Sequence, residues 1–405
     1  MLAVVTFLLV VGLSDWTGFK RCLTPPDLDQ CTFIGKSTWE WLKLLIAPAI
    51  LTAGGILANQ YLKNRDEAQR QQDKELAKDA ERYNLLKDYL DQMTQLLLKA
   101  EWPENRNQET GECEENATIV AIARARTLAV LSELDGRRKG SLIEFLVESQ
   151  ALQFVSLEGA NLSSANLSGA NLSSANLSSA NLSSANLSGA NLSRANLSSA
   201  NLIEASLFSA NLSRADLSGA YLINALLPKA NLNKTNLSNA YLEKADLNGA
   251  QLVGADLNHA HAPETNFIGA QLMAANLGGI HLSRSKLWGA DLRGTNLIGA
   301  SFNNADLSSA NLSGANLGAG YHHRASYFSP QVETILDLGA DVSGANLSRV
   351  NFDMANIKDI IFNEDTKWEG VLGLDTAQHV PEKLKQKLDS TPAITLSDAS
   401  STTGS

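Results

Sequence analysis

Leucine recurs at every fifth position over residues 152–317, replaced in a few places by Phe or Ala, and most often stands in the pentad Ala-Asn-Leu-Ser-Ser. A spacing of five residues fits neither the 3.6-residue period of a helix nor the alternation of a strand, so an ordinary amphipathic element cannot bury these leucines. A solenoid can bury them, because each short unit turns one corner and stacks on the unit before it. The pattern therefore predicts a repeat solenoid.

The repeated pattern Ala-(Asp/Asn)-Leu-X-X resembles that of the pentapeptide-repeat family, and some 33 consecutive pentads over residues 157–317 carry the resemblance. The resemblance implies a mainly β fold, a right-handed quadrilateral β-helix with four pentads in each twenty-residue coil. The central leucine and the alanine two residues before it would point inward. Asn and Ser would point outward, where short polar side chains can bond along the stack. We expect such a rod to present surface without a catalytic cleft, so we expect a protein that is not an enzyme.

Two apolar runs lie near the N-terminus. The run over residues 1–13 reaches only about 20 Å, against a hydrocarbon core of about 30 Å. It lacks the basic start and small-residue cleavage site of a signal peptide, so we interpret it as a first membrane span, with a cleaved signal as the alternative. The run over residues 41–61 has the length of a span, and Trp39, Trp41 and Tyr61 lie where an aromatic belt is expected. We expect residues 1–62 to form a membrane anchor.

Basic residues follow the second run more densely than they precede it. Six follow within twenty positions: Lys63, Arg65, Arg70, Lys74, Lys78 and Arg82. Because basic residues concentrate on the cytoplasmic side, we expect a bacterial membrane location with everything after residue 62 in the cytoplasm. The loop between the runs contains Cys22 and Cys31, for which a disulfide and two unpaired thiols are both open.

Residues 63–151 are expected to form a cytoplasmic helical module. A charged helix becomes amphipathic from about Leu85, a second helix is expected over 117–134 and to stop at Asp135 and Gly136, and a third is expected over about 141–149. The third helix is apolar enough to cover the open end of the first coil. The stretches 89–98, 123–128 and 134–140 resemble the segment before the repeats in membrane-anchored cyanobacterial pentapeptide-repeat proteins.

The repeats are interrupted once and then end. Residues 318–341 predict a looped-out insertion with a short helix that begins at Ser329 and Pro330. Residues 342–366 predict the final repeats. Residues 367–405 are expected to hold a C-terminal cap, with Trp368 at the far end of the core, and a disordered tail.

The candidate chemistry of the chain is sparse. No nucleotide-binding loop and no metalloprotease or hydrolase motif occurs, and the serines recur with the repeat, so we assign no catalytic, cofactor or metal residue. A metal site on His261 and His281 lacks clear third and fourth ligands. The net charge of −10 lies mainly in the ends, because residues 157–317 hold nine acidic and eight basic residues, a net of −1.

One departure from the Asn and Ser pattern is not random. The position before the central residue, followed at twenty-residue intervals, holds Tyr221, Tyr241, His261 and His281. We call these four residues the aromatic column. On the neighbouring side, the position after the central residue holds Phe208, Pro228, Ile268 and Trp288, which we call the apolar strip. Stacking that stabilises the coil is one interpretation; a docking surface for a partner is the other.

The leading hypothesis is a membrane-tethered scaffold that binds an unidentified protein through the outer surface of the rod. The first alternative is a DNA mimic that regulates a topoisomerase, but mimicry requires a dense negative surface, which the near-neutral rod does not provide. The second alternative is a passive spacer. We expect contact with the lipid bilayer and no contact with nucleic acid.

Overall fold

The computed structural model describes residues 32–33, 36–99, 117–318 and 339–389, with side chains for 48–99, 117–318 and 339–388. The chain divides into two compact units, Met1–Ala80 and Glu81–Ser405. The expected first span, both N-terminal cysteines, the helix expected at Ser329 and the tail after residue 389 lie outside the described residues.

The first unit contains a long helix. Strand β1 (Thr32–Phe33) pairs antiparallel with β2 (Lys36–Ser37), and helix α1 (Thr38–Lys99) follows at once and continues into the second unit. Within the described residues, no helix has the length and apolar character needed to cross a membrane. The expected membrane span over 41–61 is not supported by this finding.

The second unit begins with packed helices. The last turns of α1 bury Tyr89 and Met93, while helix α2 (Ala117–Glu133) buries Thr127. The Tyr89 hydroxyl lies 2.8 Å from Thr127 Oγ1. Burial raises the pKa of Tyr89 to about 12, against the opposing effect of this hydrogen bond.

Helix α3 (Gly136–Glu148) starts about five residues earlier than the sequence predicts. Asp135 caps it, since the Asp135 carboxylate accepts hydrogen bonds from the backbone N–H groups of Arg137 and Arg138. Gly136 was expected to end the preceding helix, but it serves close packing instead. A Cβ added to Gly136 would lie 1.9 Å from the Ser164 carbonyl oxygen.

Helix α3 takes the place of a missing coil below the first coil. The Gly136 carbonyl accepts a hydrogen bond from the Asn166 N–H, which in later coils bonds to the coil below. The buried Lys139 ammonium lies 3.1 Å from the Ser163 carbonyl oxygen and 3.3 Å from Asn161 Oδ1. Three apolar side chains of the helix are fully buried: Leu142, Ile143 and Leu146. Polar groups and apolar core at the open end are thus both covered.

The repeat region is a four-sided coil of twenty residues. Residues twenty apart form parallel bridges, such as Asn161 with Asn181 and Asn181 with Asn201. The central leucines over 157–317 are buried, as expected, and so are the alanines two positions before them, except the half-buried Ala170. Within the described residues the coil pairs through isolated bridges rather than extended strands, because each side turns a corner after one paired residue.

Each corner is a turn with one residue in the left-handed region. The Ala165 N–H bonds to the Leu162 carbonyl, and Ser164 between them has φ of 56°. Positive φ at the third residue of a turn favours Gly and Asn, but here Ser, Arg, Lys, Glu and His also adopt it. The coil thus fixes the second residue after each central leucine as an outward corner position.

The coil resumes in register after the insertion. The Ala340 N–H bonds to the Leu317 carbonyl, and Asp341 pairs with Ser301. The bridges then continue to Gln378, beyond the expected end of the repeats at residue 366, with spacings of 21 and 22 residues in the last coil. Trp368 packs edge-on against Phe362, with ring centroids 5.6 Å apart, and helix α4 (Glu382–Asp389) buries Leu384 at this end.

Candidate interaction surface

The aromatic column occupies successive coils on one side of the rod. Bridges join Tyr221 to Tyr241, Tyr241 to His261, and His261 to His281. The ring centroids are 5.0, 5.4 and 4.9 Å apart, and the planes of neighbouring rings lie within 4°, 10° and 16° of parallel. The predicted alignment is confirmed, and all four side chains are exposed.

Ala262 and Pro263 do not displace the column. Ala262 is fully buried in the position of a central leucine, and its N–H donates to the His281 carbonyl at 2.8 Å. The bulge that the smaller side chain could have allowed is absent from this part of the coil, because the bridges on both sides of His261 keep the twenty-residue spacing.

Stacked rings replace a polar ladder in the column. Below it, Asn201 Oδ1 accepts a hydrogen bond from the Ile203 N–H at 3.0 Å, and elsewhere Asn side chains bond between coils, as Asn211 Nδ2 does with Asn191 Oδ1 at 3.2 Å. Tyr and His cannot make the short local bond of Asn. Offset or parallel ring contacts supply the coil-to-coil attraction instead.

The apolar strip is uneven. Phe208 is 47% exposed and Trp288 is 54% exposed, whereas Pro228 and Ile268 are half-buried. Asn248 interrupts the strip between Pro228 and Ile268. The structure thus places two large apolar side chains on the outside at opposite ends of this line.

Comparison with known proteins identifies the repeat. A family model described as Pentapeptide repeats matches in eight copies over residues 151–318. The solved structure of HetL, a pentapeptide repeat protein involved in heterocyst differentiation regulation from the cyanobacterium Nostoc sp. strain PCC 7120, is 30% identical, with 58% of this chain and 93% of HetL covered and a TM-score of 0.47. The chain belongs to the pentapeptide-repeat family. Its repeats form the right-handed quadrilateral β-helix of that family.

Two further pentapeptide-repeat structures are similar over shorter lengths. Rfr23 from the cyanobacterium Cyanothece 51142 is 29% identical, with 28% of this chain and 64% of Rfr23 covered and a TM-score of 0.23. Full-length QnrB1, a plasmid-mediated fluoroquinolone resistance protein, is 16% identical, with 41% and 85% covered and a TM-score of 0.17. No curated protein matches the sequence.

Leu226 is an exposed apolar residue that does not belong to the predicted aromatic column or apolar strip. It stands where this family usually has Asn or Asp, and it is 48% exposed. One coil earlier, the equivalent positions hold Ser188 and Ser206, whose hydroxyl oxygens lie 2.9 Å apart. Phe208 and Leu226 occupy the same two positions one coil later, so they form an adjacent apolar pair. The twenty-residue period aligns Leu226 with three polar residues in neighbouring coils, and this contrast is visible in the sequence: Asn186, Ser206 and Asp246.

Charged residues flank the aromatic column. Lys244 Nζ lies 3.2 Å from Glu243 and 4.0 Å from Glu264, and the hydrogen bond with Glu243 raises the pKa of Lys244. These pairs are exposed and contribute little to stability. Among the described residues no three His, Cys, Asp or Glu side chains are placed to hold a metal ion.

Proposed function

We propose that this pentapeptide-repeat protein is a scaffold that binds another protein through the aromatic column and the apolar strip, together with Leu226. The observation that carries the proposal is the exposure of Phe208, Leu226 and Trp288, each near half, on a rod whose other outward positions are mostly Asn and Ser. Exposed apolar groups beside polar ones are typical of interaction sites.

The column suits the centre of such an interface. Tyr is enriched among residues that dominate binding energy, and its ring is already ordered by stacking, so binding sacrifices little conformational freedom. The hydroxyls of Tyr221 and Tyr241 give the partner hydrogen-bonding groups beside apolar area.

The test is a crosslinking pull-down from membranes. It compares the native protein with a variant that carries alanine at Tyr221, Tyr241 and Trp288. A matched control replaces three outward serines on another side of the coil with alanine: Ser198, Ser218 and Ser238. The partner is then purified, and we expect its affinity to fall at least tenfold for the aromatic variant and to stay unchanged for the control. Equal binding by both variants would support the passive spacer instead.

We further propose that α1 tethers the scaffold to a bacterial membrane, with the repeats in the cytoplasm. Ile50, Leu51, Ile56 and Leu57 support it, since all four are strongly exposed on the helix, and so do the basic residues from Lys63 onward. The protein should stay with membranes after alkaline carbonate extraction, and a variant lacking residues 1–62 should not. Release of the full chain would refute the tether; an active export-dependent reporter fused after Ala100 would reverse the orientation.

DNA mimicry remains the weaker candidate. The balance of nine acidic against eight basic residues over 157–317 argues against a phosphate-like surface. The likeness to QnrB1 concerns the fold alone.

A further inference from the structure

Three cations lie in one line on a corner of the coil that the proposed docking surface does not use. Arg194, Arg214 and Lys234 each occupy the second position after a central leucine, and all three are exposed. We call them the basic ladder. Their backbone φ values are 59°, 61° and 58°, so all three leave the backbone from the same left-handed conformation.

The backbone holds the ladder in successive coils. The N–H of Arg194 donates to the Ser213 carbonyl, the N–H of Arg214 to the Asn233 carbonyl, and the N–H of Lys234 to the Val253 carbonyl, each at 3.0 Å. The three Cα positions are therefore spaced as hydrogen-bonded strands are, about 4.8 Å apart. Unlike cations on a flexible loop, these cannot separate by moving the backbone.

The charges of the ladder are not compensated within the described part of the chain. No carboxylate there lies within ion-pair distance of any of the three side chains, although Lys244, Arg293 and Arg124 all have such partners. The nearest acid in sequence, Asp216, accepts from the Ser218 N–H and from Asn236 Nδ2. Like charges held side by side repel one another, so the ladder is arranged to attract an anionic partner.

The spacing discriminates between partners. Two steps of the coil span about 9.6 Å. Carboxylates at positions i, i+3 and i+7 of a helix span about 10.5 Å, whereas those on one face of an extended strand span about 13 Å over two steps. Successive phosphates of a DNA strand rise only about 3.4 Å along the duplex axis. A helix with an acidic face matches the ladder best.

The positions that continue the line of the ladder could contact the same acidic helix. The next positions in the same line are Gly254, Ala274, Gly294 and Gly314, which carry no long side chain of their own, and the Arg293 guanidinium lies beside this line, 2.9 Å from Met273 Sδ. Val253 and Met273 lie beside the first two of them and are half-buried. We propose that this corner binds an acidic helix of a partner protein, with carboxylates on Arg194, Arg214 and Lys234 and apolar side chains on Val253 and Met273.

The test uses the full-length protein and a fluorescent alanine-rich helical peptide with Glu at i, i+3 and i+7 and Leu at i+10 and i+14. The ladder variant carries serine at all three positions, because Ser164, Ser174 and Ser184 adopt the same positive φ in the native coil. The control variant changes net charge equally on other corners: Lys229→Ser, Lys244→Ser and Arg284→Ser.

We expect peptide binding to weaken at least fivefold in the ladder variant and less than twofold in the control. A scrambled peptide of the same composition should bind more weakly than the designed one, and added salt should weaken the designed complex. Equal loss in both variants would mean that only overall charge matters, and absence of binding would also overturn the proposal.

If a labelled dT20 oligonucleotide bound with the same dependence on the ladder, the partner would be nucleic acid and the acidic helix would be wrong. Because the ladder lies on a different side from the aromatic column, the triple aromatic variant should retain peptide binding, which separates this proposal from the proposed function.

Discussion

The rings of Tyr221 and Tyr241 stack with centroids 5.0 Å apart and planes within 4° of parallel. Since the two residues lie in successive coils, the ring faces point along the coil axis and are covered by their neighbours. Solvent and any partner therefore meet ring edges and hydroxyl groups. A ligand that binds by stacking on an open aromatic face would find none along the middle of the column.

Stacking should make Tyr221 and Tyr241 energetically coupled. We expect a double-mutant cycle with Tyr221→Ala and Tyr241→Ala to give a coupling of about 0.5–1.5 kcal/mol in the free energy of unfolding. A second cycle with Tyr221→Ala and Trp288→Ala, which lie three coils apart on different sides, should give a coupling near zero. Additive losses in the first cycle would show that the contact contributes nothing beyond the separate side chains.

Leu237 and Asn236 test the inward and outward assignment. Leu237 is 1% exposed, so Leu237→Ala should lower the free energy of unfolding by about 2–5 kcal/mol through lost burial and a residual cavity. Asn236→Ala should cost about 1 kcal/mol, because it removes hydrogen bonds to Ser238 and Asp216 at a surface position. Chemical denaturation measures both, and similar midpoints for the two variants would contradict the assignment.

Gly140 offers a test whose sign is informative. Alanine normally stabilises a helix relative to glycine by about 0.5–1 kcal/mol. A Cβ at Gly140 would lie 2.2 Å from the Asn166 carbonyl oxygen, so Gly140→Ala should instead destabilise by about 1–3 kcal/mol. The neighbouring exposed substitution Ser141→Ala should not destabilise. A stabilised Gly140→Ala variant would mean that α3 does not pack closely on the first coil.

The pKa of Tyr89 predicts a loss of stability in alkali. Its folded pKa of about 12 lies above the ordinary tyrosine pKa of 10.0, so the folded state retains the phenol proton more strongly than the unfolded state. The stabilisation is complete below pH 10 and should be lost as pH rises through about 12, by roughly 3 kcal/mol. Unfolding titrations at several pH values should show this dependence in the native protein and a smaller one in Tyr89→Phe.

The five-residue period alone predicts most of the coil, because each twenty residues repeat the same burial. It could not predict the last coil, where Lys367 and Gln378 pair with residues 21 and 22 positions earlier. The extra residues interrupt the pentads, so the register cannot be followed in the sequence. The start of α3 differs from the expectation for another reason: a glycine after the helix expected over 117–134 is typical of a helix end, whereas the close contact of Gly136 with Ser164 depends on distant sequence.

The surface was predicted in part. The positions before the central residues, aligned at intervals of twenty, predict the aromatic column. Its function as a docking surface stays a prediction. Leu226 was overlooked, since the neighbouring coils carry Ser206 and Asp246 at that position. The basic ladder is not apparent within single pentads, because its three cations lie at corner positions twenty residues apart, although the twenty-residue period is enough to align them.

The hydrogen bond from Ala340 to Leu317 closes an ordinary corner although the intervening residues are twenty more than a corner requires. The coils on both sides of that corner pair as they would if the inserted residues were absent. A foreign sequence, such as a fluorescent domain or an affinity tag, could therefore replace the natural segment between these two residues. The coil would carry the inserted domain without any change in its own sequence.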